Sequence, residues 1–310
     1  MTERDSTPTP EPSSDPASSI YKVIHSTTYQ YQAPVKVSHN QVMLTPRDAE
    51  FLKCRKHRLT IQPGTSVSTK RTDFFGNLVH AFSVEENHRR LVVTASSVVE
   101  VLPRPQFVMD RSPSWQDVAN DVKQLLDQNW LEVSAYRFDS RRIRRQQSFA
   151  EYAQGTFKQG MPILEAALAL TQKIYTEFQY DTKATDVNTS VDQAFTLRRG
   201  VCQDFAQIQI AALRSLGLPA RYVSGYLRTL PPEGKPRLIG ADQSHAWVSL
   251  YCGQDLGWVD LDPTNRCFCG LDHVPIARGR DYSDVVPFRG VFLGGGSHQL
   301  TVSVDVCPVD

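Results

Sequence analysis

Residues 198–227 read RRGVCQDFAQIQIAALRSLGLPARYVSGYL. Phe205, Ile208, Ala212 and Leu216 recur at three- and four-residue steps, and Gly217 with Pro219 supplies a stop signal. The spacing therefore predicts a helix that opens at Cys202 and closes at Gly217. A helix start offers unpaired backbone N–H groups and the positive end of the dipole, which together favour a thiolate, the nucleophilic form of cysteine. Gly200 is expected to let the chain turn tightly and come close to a substrate, and Asp204 reads as a helix-start residue accepting N–H bonds in the first turn. A cysteine that merely fills a helix end as a small apolar residue needs no chemical company, so the rest of the sequence decides.

The company is SHAWVSLYCGQDLGWVDLDPTN, residues 244–265. Two runs of strand character flank Gly253 and Gln254, which suit a two-residue type II′ hairpin. That loop sets His245 directly opposite Asp262, with Cβ atoms about 4.5–5.5 Å apart, and pairs Asp260 with Trp247. A loop of different length reverses the choice between the two aspartates. Taken singly, His245 and Asp262 read as a strand pair capped by a turn. A helix-start cysteine, a strand histidine and an aspartate on the neighbouring strand together form the set that nucleophilic acyl transfer requires.

The remainder divides readily. Residues 1–19 are rich in Pro, Ser, Thr and acids, too poor in apolar surface to offset ordering, and are expected to be a disordered tail. From 20 to 102, β-branched and aromatic runs alternate with PG, GN and ENH turns, which predicts an all-β module. Residues 103–160 read as a helical connector: Ser114 caps a helix with Val118, Val122, Leu125 and Leu126 on one face. The region from 161 to 310 opens with a helix that has Pro162 in its first turn and Leu164, Ala167, Leu168, Ile174 and Phe178 on its buried side. A short helical stretch, SVDQAFTLRRG, precedes the opening segment, and strands follow it.

The 310 residues carry 40% apolar and 22% charged side chains and a formal net charge of +1. That balance gives no field to recruit nucleic acid or an anionic membrane. No apolar run reaches the roughly 18 residues of a membrane-spanning helix, and the N-terminus lacks the pattern of a signal peptide, so a cytoplasmic protein is expected. Six cysteines are too sparse for a disulfide framework. Cys267, Cys269 and His273 lack the spacing of a common zinc site and read as turn packing, so neither a metal nor a cofactor is expected. The five arginines between 137 and 145 read as a solvated loop. LGGGSH at 293–298 lacks the Lys and Ser/Thr of a phosphate loop and reads as a flexible turn, and NTS at 188–190 reads as a chance sequon.

LRRGVCQDFA, GLPARYVSGYL, SHAWVSLY and GWVDLDPTN resemble the transglutaminase-like superfamily, specifically its bacterial branch of candidate cysteine proteases. HSTTYQYQAPV, LTPR and DFFGNLV resemble that branch's N-terminal β region, and HVPIARGRDYSDVVPFRGVFLGGG its C-terminal segment. The resemblance implies an α+β fold, with a papain-like core in which the cysteine-bearing helix packs on an antiparallel sheet, and makes 161–310 the catalytic domain with a C-terminal strand. It implies Cys202 as nucleophile, His245 as general base and then acid, and Asp262 as its orienter. It also draws attention to EFQYD: animal transglutaminases place a tryptophan oxyanion donor upstream of the cysteine, none stands here, and Tyr180 is the residue assigned to that role beside the Cys202 N–H. GRDYSD at 279–284 is expected to line the cleft on the same ground.

The expected substrate is a peptide or protein with a carboxamide or peptide bond, cleaved through a thioester. Water resolving the thioester makes a peptidase or amidase; an amine makes a transglutaminase or peptide ligase. An inactive binding scaffold is the reading from outside enzymology. Oligomeric state is not legible.

Overall fold

The structure, a computed structural model, describes residues 18–124, 130–229 and 243–309. The expected tail thus falls almost wholly outside the described residues, as do Leu125 and Leu126. Two antiparallel sheets and a helical layer make up the molecule. In the first sheet, β1 (Ser19–Thr45), β2 (Leu52–Gln62), β3 (Val67–Thr72), β4 (Leu78–Val84) and β5 (His88–Val101) run in the order β2-β5-β1-β4-β3. The β5 sequence shows why: Leu91, Val93, Ala95, Val99 and Val101 alternate with half-exposed residues, so one face of the strand is buried.

The helical layer and second sheet comprise α1 (Trp115–Gln124), α2 (Trp130–Ser134), α3 (Gln147–Gln154), α4 (Ile163–Glu177), β6 (Gln179–Tyr180), α5 (Val191–Leu197), β7 (Arg199–Gly200), α6 (Cys202–Ser215), β8 (Ala220–Leu227), β9 (Gln243–Tyr251), β10 (Trp258–Asp262), β11 (Cys267–Phe268) and β12 (His273–Gly279). The sheet order is β11-β10-β9-β8-β12, with β6 and β7 forming a separate parallel pair. Every residue of α6 from Asp204 to Arg214 is buried, so this helix is the axis of the core. Ala246, Val248 and Leu250 of β9 pack in the same cluster.

Two expectations about boundaries need correction. Residues 103–160 do not merely connect: Val118, Val122, Val133, Ile143 and Phe149 belong to the α6 cluster, because an amphipathic helix must bury its stripe on whatever core lies nearest. Nor does the 161–310 region hold its C-terminal strands. β13 (Phe288–Gly294) and β14 (His298–Pro308) both pair with β1 in the first sheet, where they take up the unpaired edge that each half of that long strand would otherwise expose. The turn between them is LGGGSH. Gly294, Gly295 and Gly296 all have positive φ, at 95°, 78° and 60°, and the turn is tied to β1 by Ala33 N–H donating to Gly295 O at 2.9 Å.

The sheets are joined by a shared apolar cluster containing Tyr21, Val23 and Val306 from the first and Tyr226, Val274 and Ile276 from the second. Asn77 adds a polar clasp, donating to Arg278 O at 2.8 Å and accepting the Arg278 N–H at 2.9 Å. Among the described residues no helix is long and apolar enough to cross a membrane.

Candidate active site

Helix α6 begins at Cys202, and its first turn is braced from within. Asp204 Oδ2 accepts the Val201 N–H at 2.9 Å and the Thr185 hydroxyl at 2.7 Å, a carboxylate at the helix start of the kind the dipole favours. Gly200 serves that brace, since a Cβ there would lie 2.5 Å from Asp204 Oδ2. The left-handed residue of the junction is Arg198, with φ of 53°, so the tight turn expected at Gly200 is made two residues earlier.

The loop between β9 and β10 is longer than two residues. Cys252 N–H donates to Gly257 O and Gly257 N–H to Gly253 O, each at 2.8 Å, and the register runs from Trp258 opposite Tyr251 to Leu261 opposite Val248. Asp260 therefore faces Ser249 instead of Trp247. The expected register is off by two residues, a slip that keeps every side chain on its own face because strands alternate with period two. His245 and Asp262 consequently meet on the diagonal, with His245 Nε2 2.7 Å from Asp262 Oδ2.

Asp262 is fully buried and richly supplied with donors. Oδ1 accepts the backbone N–H groups of Thr264 at 2.9 Å and Asn265 at 3.2 Å. Oδ2 accepts from His245, from Asn265 Nδ2 at 2.7 Å and from His273 Nε2 at 3.1 Å. Burial alone would raise the carboxyl pKa, but these hydrogen bonds, led by those from His245 and His273, hold it below the usual carboxylate range. For His245 the balance has the opposite sense: burial opposes the imidazolium, while interactions with Asp262 and then Cys202 outweigh it and raise the pKa to about 10. With Nε2 donated to Asp262, Nδ1 is the nitrogen left to exchange a proton with the sulfur.

Tyr180 sits beside Gly200 in the β6–β7 pair. It is about half exposed, and burial together with the neighbouring Cys202 charge raises its pKa. All four expected residues thus gather at one place.

Three further residues shape the site. Asn265 follows Asp262 in an Asx-type turn, which the DPTN sequence signals. His273 comes from β12, at the other edge of the sheet, and no local pattern announces it. The Gly270 N–H donates to His273 Nδ1 at 3.2 Å, so the His273 proton resides on Nε2 and points at Asp262. Trp247 is fully buried, donates from Nε1 to Asp260 Oδ2 at 3.2 Å and packs edge-on against His273, with ring centroids 5.4 Å apart.

His245, Asp262 and His273 also bring three metal-ligand atoms within 4.8 Å of one another. Hydrogen bonds among them account for that closeness. Of Cys267, Cys269 and His273, expected together to pack a turn, Cys269 is buried against Val223 and Trp247 of the sheet, whereas His273 instead donates to Asp262.

Residues 21–100 match the bacterial transglutaminase-like N-terminal region, and residues 150–263 the transglutaminase-like superfamily. An uncharacterized protein of Mycobacterium tuberculosis is 38% identical over 294 residues, covering 94% of this chain and 93% of its own length. A protein-glutamine gamma-glutamyltransferase of Pseudomonas aeruginosa is 38% identical over 100 residues, which is 31% of this chain and 15% of that protein. Among solved structures, a candidate cysteine protease from Cytophaga hutchinsonii superposes with a TM-score of 0.75 at 23% identity, covering 95% of this chain and 92% of that one; that likeness speaks to the fold.

Proposed function

The chain belongs to the transglutaminase-like superfamily, and from that premise we propose that it is a cysteine-dependent amide or peptide hydrolase acting through Cys202, His245 and Asp262. The observation that carries the reading is the Asp262 network: a buried carboxylate with all its donors in place fixes the His245 ring and favours the imidazolium beside a helix-start sulfur.

The Cys202 thiolate attacks the substrate carbonyl carbon, forming the S–C bond while the carbonyl π pair moves to oxygen. The Cys202 N–H and the Tyr180 hydroxyl are the proposed donors to that oxyanion. On collapse the C–N bond breaks and the nitrogen leaves as an amine after taking the proton from His245. Water, losing a proton to His245, then attacks the thioester and releases the carboxylic acid and the thiolate. The substrate is accordingly a peptide or protein, and the expected cytoplasmic setting supplies water in excess.

Transfer of the acyl group to an amine is the second reading, supported by the partial likeness to a protein-glutamine gamma-glutamyltransferase. The deciding experiment incubates the protein with glutamine-containing peptides, with and without a primary amine, and reads products by mass. Hydrolysis in both arms supports the first reading; an amine adduct that displaces the hydrolysis product supports the second. If Cys202→Ala turns over substrate as well as the wild type, both fail.

A further inference from the structure

A cavity of about 620 Å³ lies between residues 47–52, which lead from β1 into β2, the 103–109 segment and strands β8, β10 and β12. Cys202, His245 and Asp262 do not line it. Its walls are largely apolar, including Phe51, Phe107, Trp258, Phe268 and Ile276, yet four arginines stand against three carboxylates in its lining. Two of the arginines are paired, Arg104 with Asp260 at 3.0 Å and Arg278 with Glu132 at 3.2 Å. Arg47 donates to the Phe75 carbonyl at 3.0 Å.

Arg221 is the exception. The residue is 8% exposed and its side chain stacks on the Trp258 ring, with the guanidinium carbon 4.1 Å from the centroid. Nε and Nη1 have no hydrogen-bond partner and are closed to water, so they mark an under-compensated buried charge and are not donors that a ligand reaches. Stacking offsets part of the cost of burying the charge, and Asp260, already committed to Arg104, offsets part of the rest. Two buried donors are still left without an acceptor. Burial, with Arg278 adding repulsion, lowers the Arg221 pKa to about 9, as expected of a cation short of countercharge.

We infer that this cavity binds an organic carboxylate with an apolar body, the carboxylate accepting from Arg221 and the body resting against Phe107, Phe268 and Ile276. One negative charge balances the lining, whereas a phosphate dianion overshoots it and offers nothing to the apolar walls. The volume suits a small molecule carrying a ring or a medium alkyl chain.

The test titrates the full-length protein with octanoate, 4-phenylbutanoate and their primary amides, following tryptophan fluorescence and thermal stability, with inorganic phosphate as the plain-anion control. Each carboxylate is expected to bind about tenfold or more tightly than its amide, the difference one charged hydrogen bond supplies, and phosphate is expected not to compete. Arg221→Met, checked for folding by circular dichroism, should erase the difference between acid and amide. Should that variant fail the check, Met109→Trp, which bulks a partly exposed wall residue and leaves Arg221 intact, is expected to weaken the carboxylates by a similar factor. Equal affinity for acid and amide, displacement by phosphate, wild-type affinity in the folded variant, or no binding by either acid overturns the inference.

Discussion

His273 and His245 donate to the same oxygen of Asp262, at 3.1 Å and 2.7 Å. Asp262 is thus held from the neighbouring central strand β9 and from β12 at the sheet's edge. His273 acts through Asp262 and is a positioning residue, without contact to a substrate. Replacing it by alanine removes one donor to a buried carboxylate, a loss of roughly 1–1.5 kcal/mol that corresponds to about a tenfold fall in kcat/KM. His273→Gln, which retains an N–H donor, should recover much of it. A purely structural role would lower stability in both variants and leave the pH profile of kcat/KM where it was; a shift of the acidic limb in His273→Ala alone identifies the positioning role.

Gly225 lies opposite His245, and the Trp247 ring occupies the space where a side chain at 225 would go. An added Cβ would stand 2.3 Å from the Val274 carbonyl oxygen and 2.5 Å from the indole. The carbonyl belongs to the backbone of β12 and cannot step aside, so Gly225→Ala must part β8 from β12 and displace Trp247 as well. The expected outcome is a stability loss of about 1–3 kcal/mol from overpacking, accompanied by loss of turnover, measured by urea denaturation and by the peptide assay. Unchanged stability would mean that the sheet tolerates the bulk at this row.

How far these relationships can be read from sequence depends on how local they are. The helix start at Cys202 and the strands around His245 and Asp262 are written in consecutive residues, and strand parity survives the two-residue register slip, so the pairing of imidazole with carboxylate is legible although its diagonal form is not. Asn265 is legible too, through its turn. His273 is not, because the partner of β12 is chosen by the folding of the whole sheet. The same holds for the return of β13 and β14 to β1: strand character is local, but partner choice is settled by which edge is left open.

Arg214 is fully buried near the end of α6 and spends its donors on carbonyls. Nε and Nη2 donate to Ala220 O at 3.0 and 2.7 Å, and Nη2 also donates to Arg280 O at 2.6 Å. Burial lowers its pKa to about 10, countered by the Asp281 charge. The side chain thereby fastens the end of α6 to the start of β8 and to the segment after β12. Arg214→Met strands these carbonyls and should cost about 3–5 kcal/mol, read as a lowered urea midpoint. Arg214→Lys, unable to span both carbonyls, should recover only a minor part.

His245 makes the stability of the fold depend on pH in a definite direction. Its pKa is raised from 6.5 to about 10, with Asp262 and then Cys202 overcoming burial. A group whose pKa is higher in the folded than in the unfolded chain contributes fully below the unfolded value and loses that contribution as pH climbs to the folded one. The pH-dependent part of the difference in urea midpoint between wild type and His245→Gln should therefore be constant just below pH 6.5, shrink from there upward, and be gone by about pH 10. Asp262 has the opposite sign: its lowered pKa gives a contribution that is present above the unfolded value of 3.8 and is lost as pH falls further. The two effects together predict greatest stability in the window between. Removing the sulfur isolates its share, because Cys202→Ala deletes one of the interactions that favour the imidazolium. The His245 ring in that variant, followed by NMR, should titrate at lower pH than in the wild type. An unchanged midpoint would show that no sulfur anion stands beside the ring, and the nucleophile assignment would go with it.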